Sequence, residues 1–300
     1  YVLLRSEGAA LIRVWSIDDA EQLSGDLVQI GAYGAGDGQF QWPVQIVCDE
    51  AGDLFVSDEA THRISRFKGD GEFVGKWGVE GAGNGELKGP AGIAFDNESN
   101  MVVVDSQNHR IQRFTPEGEY LGGFGSYGSK PGQFNLPLGV HVDEFGYIYV
   151  VDWGNNRVQK LDAGGDPVLV MGQEGSGDGE FKRPMGVAVD AHGDIYVADG
   201  GNDRVQMFNQ EGKYIWKFLG DASLSRGARN YMLTNAMPNR LREMGELEQE
   251  KYLRRPRSVR IDSEFRLFVP DYESYRIQVY QKEAIPLDHN TLAAPIRNPT

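Results

Sequence analysis

Residues 128–161 read GSKPGQFNLPLGVHVDEFGYIYVVDWGNNRVQKL, and this stretch decides the fold. Pro137 leads into the alternating run 138–143. The turn Glu144-Phe145-Gly146 passes into a second run, 147–151, which ends on Asp152. Trp153-Gly154-Asn155-Asn156 connects to a third run, 157–161. Gly164-Gly165 then turns the chain into a fourth, 167–171. Short β-branched and aromatic runs bounded by Asp and Gly turns are the mark of antiparallel hairpins.

The same stretch recurs at a fixed interval. A proline followed six residues later by aspartate stands at Pro43/Asp49, Pro90/Asp96, Pro137/Asp143 and Pro184/Asp190, 47 residues apart each time, and again at Pro256/Asp262. Asp58, Asp105, Asp152, Asp199 and Asp271 lie 15 residues after their prolines, and Arg63, Arg110, Arg157, Arg204 and Arg276 lie 20 after. Gly71, Gly118, Gly165 and Gly212 lie 28 after, where a hairpin turn needs a positive φ. One such unit cannot cover its own apolar faces, so the units must pack around a common axis. Four antiparallel strands per unit make a propeller blade.

The motifs G-x-G-x-G-[QE]-[FL], P-x-G-[IV]-x-[VF]-D, [IV]-[YF]-V-x-D and N-x-R-[IV]-Q-x-[FL] are clearest in residues 81–114, 128–161 and 175–208. This pattern resembles the NHL repeat, over roughly residues 31–281. The resemblance implies a six-bladed β-propeller. Blade counting reaches the same number, because residues 1–31 align as three strands that lack an inner one. Leu292-Ala293-Ala294-Pro295-Ile296 resembles Phe134-Asn135-Leu136-Pro137-Leu138, so a C-terminal strand is expected to close the ring and hide its edges. The expectation is therefore all-β: a single domain over residues 1–300, with six blades of four antiparallel strands.

One interval breaks the period. From Pro184 to Pro256 is 72 residues, 25 more than elsewhere, which places an insert at 221–253. Residues 238–253 read as a helix with Leu241, Met244, Leu247 and Tyr252 on its apolar face. Residues 221–257 hold eight Arg or Lys against five Asp or Glu, a basic patch on a chain of net charge −14. Insertions in repeat arrays map to one face and are often functional.

The global charge argues against nucleic acid as a partner, since such binding needs a concentrated basic surface. Glycine numbers 39, as repeated turns require. The single Cys48 precludes an internal disulfide, and its register, shared with Phe95, Val142, Val189 and Ile261, predicts a small core residue. No run approaches the roughly 20 apolar residues of a membrane span. A chain opening on Tyr1 inside a strand suggests a truncated or processed N-terminus, and the compartment is not legible. A monomer is expected.

Repetition separates structure from function. A catalytic group is needed once, whereas a lock is needed in every blade, so the recurrent Asp and Arg are assigned to ordering the loops between blades. The odd residues are the candidates. The insert and the connections between second and third strands share the top face, where Trp153, Asn155, Asn202, Tyr272 and Tyr275 stand out. His62 and His109 fill one slot in adjacent blades, a slot also held by Asn156, Asp203 and Tyr275. Alternation along the inner strand predicts that positions two and four after proline face the axis, among them Gln45, His141 and Arg260, with Arg297 from the closing strand. Such cations suit a small anionic ligand.

The leading expectation is a non-catalytic binding module for a protein, peptide or small ligand, the role that the resemblance implies, with no cofactor. The alternative is a lactonase-like or amidating-lyase-like propeller enzyme holding calcium or zinc, for which Glu59, His62, His109, Asn155, Asn202 and Asp203 lie on the right face. Amidating lyases of this fold carry histidine directly after the proline. Here that place holds Val44, Ala91, Leu138, Met185 and Arg257. The loops 34–38 and 175–179 precede strands, so they are not phosphate cradles at helix N-termini.

Overall fold

The computed structural model describes residues 2–6, 9–17, 23–221, 251–274 and 276–282. The repeat builds antiparallel sheets whose inner strands line up side by side around an axis. The Pro137 blade consists of Pro137–Val142, Ile148–Asp152, Arg157–Leu161 and Pro167–Met171, each paired with the next. The Pro43, Pro90 and Pro184 blades are built likewise. Aspartates six after proline start each first turn as expected, Asp143 Oδ1 accepting the N–H groups of Phe145 and Tyr147.

The blade count needs correcting. Among the described residues the repeat builds five blades, and four of them carry all four strands. The Pro256 blade is three-stranded, from Arg260–Ile261, Arg266–Asp271 and Arg276–Gln281. A separate three-stranded sheet, Val2–Ser6, Ala9–Ile17 and Leu23–Ile30, precedes them. The strands that would complete these two, and the expected closure by the C-terminal tail with Arg297, fall outside the described residues. Residues 238–250 of the expected helix do so too. Its last residues belong to the repeat instead: Leu253 is buried and donates its N–H to Leu219 O, standing three before proline where Leu87, Phe134 and Phe181 stand. Among the described residues no helix is long and apolar enough to cross a membrane.

Each interface between blades is an apolar layer. Val102, Val104 and Ile111 of one blade pack with Val140, Ile148 and Val150 of the next. At the rim, Gly118 has φ +95° and lies against Trp77 of the preceding blade, so close that a Cβ would come 2.5 Å from the indole. That position requires glycine both for the turn and for the close approach.

The recurrent Asp and Arg form the expected lock. Asp152 is fully buried and accepts four hydrogen bonds, from Asn135 N–H at 2.7 Å, Asn155 Nδ2 at 2.9 Å, Arg157 Nε at 2.7 Å and Gln159 Nε2 at 3.2 Å. The rest of the guanidinium donates to the carbonyls of Ser129, Lys130 and Gln133 in the glycine-rich loop. Asp105 and Asp199 hold equivalent sets. A buried charge is tolerable because every polar neighbour is satisfied.

The Pro43 blade departs from this pattern. Thr61 and Ser65 replace the asparagine and glutamine of the Pro90, Pro137 and Pro184 locks. Asp58 turns to backbone N–H groups instead, from Gln41, Trp42, Ala60 and Thr61. Thr61 Oγ1, Arg63 Nε and Ser65 Oγ are left buried without a hydrogen-bond partner. Installing Thr61→Asn with Ser65→Gln should therefore stabilise the protein by about 1–3 kcal/mol, the cost of buried unpaired donors and acceptors. A denaturant midpoint measures this. An unchanged midpoint would show that internal water already fills the place.

Candidate functional site

On the top face a cleft of about 510 Å³ opens between the Pro137, Pro184 and Pro256 blades. Its floor is a departure from the repeat. The connection after the second strand is a short 3-10 turn in four blades, and it carries Ser106-Gln107 in the Pro90 blade and Trp153 in the Pro137 blade. In the Pro184 blade it is Gly200-Gly201. A Cβ on Gly201 would meet Lys182 O at 2.4 Å, and one on Gly200 would meet Pro256 O at 3.0 Å. Glycine there lets the Lys182 and Pro256 backbones approach the turn closely, and Trp153 and Glu273 from the flanking blades wall the cleft above it.

Cations ring the opening. Lys182, Arg183 and Arg255 line it together with Asp203. Asp203 Oδ1 accepts Arg255 N–H at 2.7 Å, and Glu273 lies 3.4 Å from Arg255 Nη1. Among the described residues neither Lys182 Nζ nor the Arg183 guanidinium has a carboxylate within ion-pair reach. Arg183 lies over the Trp153 ring at 5.4 Å, and Arg257 stacks on Tyr272 at 3.6 Å. Trp153 Nε1 and Arg257 Nε are buried without partners. Burial, then the Arg255 charge, hold Arg257 below its ordinary pKa, opposed by Tyr272 and Glu273.

Of the expected top-face residues, the structure brings Trp153 to the cleft and places Tyr272 under Arg257 beside it. Asn155 and Asn202 spend their amide donors on locks, on Asp152 and Gly128 O and on Asp199 and Gly175 O. Tyr275 lies outside the described residues. Sequence reasoning missed Lys182, Arg183, Arg255 and Glu273. The one available signal was Gly200, where the other blades carry Glu59, Ser106, Trp153 and Tyr272.

The histidine slot is structural. His62 and His109 have left-handed backbones, φ 54° and 56°, and each Nδ1 accepts the N–H of the residue before the next blade's proline, Gly89 and Leu136, at 3.0 Å. Asn156 and Asp203 accept Arg183 and Arg255 N–H in the same way. The slot requires a short acceptor that tolerates a left-handed backbone, which explains why its residue type varies. The glycine-rich loops are likewise committed: Glu180 Oε2 accepts Gly177 N–H, and Arg204 takes the carbonyls of Ser176, Gly177 and Glu180. Among the described residues no three His, Cys, Asp or Glu converge as metal ligands would.

The axis needs two corrections. Glycines two after proline do not face an open channel. A Cβ on Gly92 would strike Leu138 O at 2.4 Å, and one on Gly139 would strike Met185 O at 2.7 Å, each in the next inner strand. A register shift after Pro90 and after Pro137 turns these positions sideways. Gln45 likewise bonds Ile93 O with its Nε2. Positions four after proline do reach the axis. His141 and Arg260 line a cavity of about 340 Å³ at the end opposite the top face. Cys48, expected in the core, is exposed and lines the same cavity. Its counterpart Phe95 packs edge-on against Phe55 of the preceding blade, whereas no described inner strand stands before Cys48.

Comparison with known proteins supports the repeat and the fold. The NHL repeat model matches residues 181–208, which span the first three strands of the Pro184 blade. No curated protein sequence matches the chain. Among solved structures, the nidogen/laminin complex superposes with a TM-score of 0.63 at 16% identity, over 91% of this chain and 86% of that one. Virginiamycin B lyase from Staphylococcus aureus with quinupristin gives 0.56 at 12% identity, over 93% of this chain and 87% of that one. A gluconolactonase from Xanthomonas campestris gives 0.54 at 17%, over 81% and 72%. At such identities the likeness shows the architecture and leaves the activity to be argued from the site. With its registered locks, the chain is a β-propeller, and one of its blades carries a matched NHL repeat at residues 181–208.

Proposed function

We propose that this propeller is a binding module whose top-face cleft receives an acidic segment of a protein partner. The observation that carries the reading is the cleft over Gly200-Gly201, which is lined by Lys182, Arg183 and Arg255 and walled by Trp153. An indole face beside Lys182 and Arg183, which have no ion-pair partner among the described residues, suits a carboxylate-bearing peptide, because aromatic and arginine side chains dominate interface energetics. The nidogen/laminin neighbour shows this architecture in a protein complex. In this reading the N-terminal sheet takes the sixth place in the ring. Its Ile12 and Ile30 already pack with Phe40, Leu54, Val56 and Phe67 as one blade packs on the next.

Fluorescence anisotropy with labelled glutamate-rich and lysine-rich peptides tests the proposal. The acidic peptide should bind and weaken with added salt, and Lys182→Glu with Arg183→Glu should reduce its affinity by about tenfold or more. Equal binding of both peptides, or no effect of the double variant, would overturn it. Turnover of a lactone panel that survives the double variant would reassign the chain to the enzymatic alternative.

A further inference from the structure

The axial cavity at the opposite end carries an independent inference, on a different face from the cleft. Its walls are mostly apolar: Ile46, Val47, Leu54, Ala94, Phe95 and Val142. Into it come the half-buried Arg260 and His141. The carboxylates at this end of the ring are already engaged. Asp53 pairs with Arg66 at 2.8 Å, Asp96 with Arg113, Asp190 with Lys282 at 2.6 Å and Asp262 with Arg266 at 2.8 Å, while Asp143 accepts the Tyr149 hydroxyl at 3.1 Å. Among the described residues Arg260 has neither a counter-ion nor a hydrogen-bond partner. A guanidinium drawn from water into an apolar cavity without an anion is costly, and an entering anion relieves that cost.

We propose that this cavity binds a small monocarboxylate with an apolar body, its oxygens held by the Arg260 fork and the His141 N–H. Size agrees, since small-molecule sites begin at about 300 Å³. Charge agrees as well. Burial first, and the Arg260 charge second, depress the His141 pKa to about 4, so near neutral pH the site offers one positive charge and one neutral donor. That balance matches a single carboxylate better than a phosphate dianion.

Cys48 supplies the readout, because it is the chain's only cysteine and it lines the cavity. Burial, Asp49 and Asp53 raise its thiol pKa, so labelling with a thiol-disulfide reagent is followed at mildly alkaline pH. Millimolar benzoate should slow the labelling saturably, whereas benzamide and inorganic phosphate should not. Arg260→Gln should weaken benzoate protection by about tenfold or more, and Arg260→Lys by less. The Lys182→Glu/Arg183→Glu variant should keep full protection, which separates this site from the top face. The proposal is overturned if benzoate gives no protection to the unmodified protein, if benzamide protects equally, or if protection persists in Arg260→Gln.

Discussion

Asp152→Ala is expected to destabilise the propeller by about 3–5 kcal/mol, read as a fall in denaturant midpoint and melting temperature. The residue touches no candidate ligand, and its effect comes from what it leaves behind. Arg157 would keep its bonds to three loop carbonyls but lose the buried carboxylate at Nε. Asn155 Nδ2 and Gln159 Nε2 would each lose one acceptor while keeping another, Gly128 O and Gln133 O. Removing one partner of a buried pair strands the other charge away from water, and that exceeds the net worth of the pair. Asp152→Asn keeps the shape without the charge and should cost less. The Pro43 blade offers an internal contrast, because Asp58 makes four backbone contacts and has no amide partners. A loss under about 1 kcal/mol for Asp152→Ala would mean that the glycine-rich loops hold without the lock.

That contrast shows what a sequence of repeats makes legible. The offsets of Asp, Arg and the hairpin glycine identified the blade, and their repetition assigned them to structure. The Asp–Arg pair forms in four blades, and in the Pro43 blade Asp58 and Arg63 instead hold backbone groups. The strands that meet at the axis were legible, but their facing was not. Alternation assumes a regular pleat, and the register shift between Pro137 and Val140 breaks it, so Gly139 turns toward its neighbour while His141 reaches the cavity. Cys48 was misplaced because its register predicts a core position only if a preceding inner strand covers it. The cleft was the least legible feature. Lys182 and Arg183 lie between 72 and 91 residues before Arg255 and Glu273 in the chain, and only the packing of three blades brings them together. The repeat engages Asn155 Nδ2 and the Nδ1 atoms of His62 and His109. The two proposed binding surfaces accordingly lie where a blade departs from its siblings, at Gly200 and at Arg260.

Gly92→Ala should lower stability by about 3 kcal/mol, the upper part of the usual range for overpacking, whereas Gly75→Ala should raise it by about 0.5 kcal/mol. Both glycines sit inside strands, and neither has a positive φ. Sequence alone treats them alike. Around Gly75 nothing lies within 4 Å of an added Cβ, so alanine there only removes conformational freedom from the unfolded chain. At Gly92 the added methyl would meet Leu138 O at 2.4 Å and Val140 N at 2.9 Å. These are backbone atoms of the adjacent inner strand, so no rotamer change can relieve the clash. The strand itself must move, and it carries His141 into the axial cavity. Gly92→Ala should accordingly weaken benzoate protection of Cys48 along with the melting temperature, while Gly75→Ala leaves protection unchanged. Equal stability of the two variants would show that the inner strands are not in the close contact on which both the axis and its cavity depend.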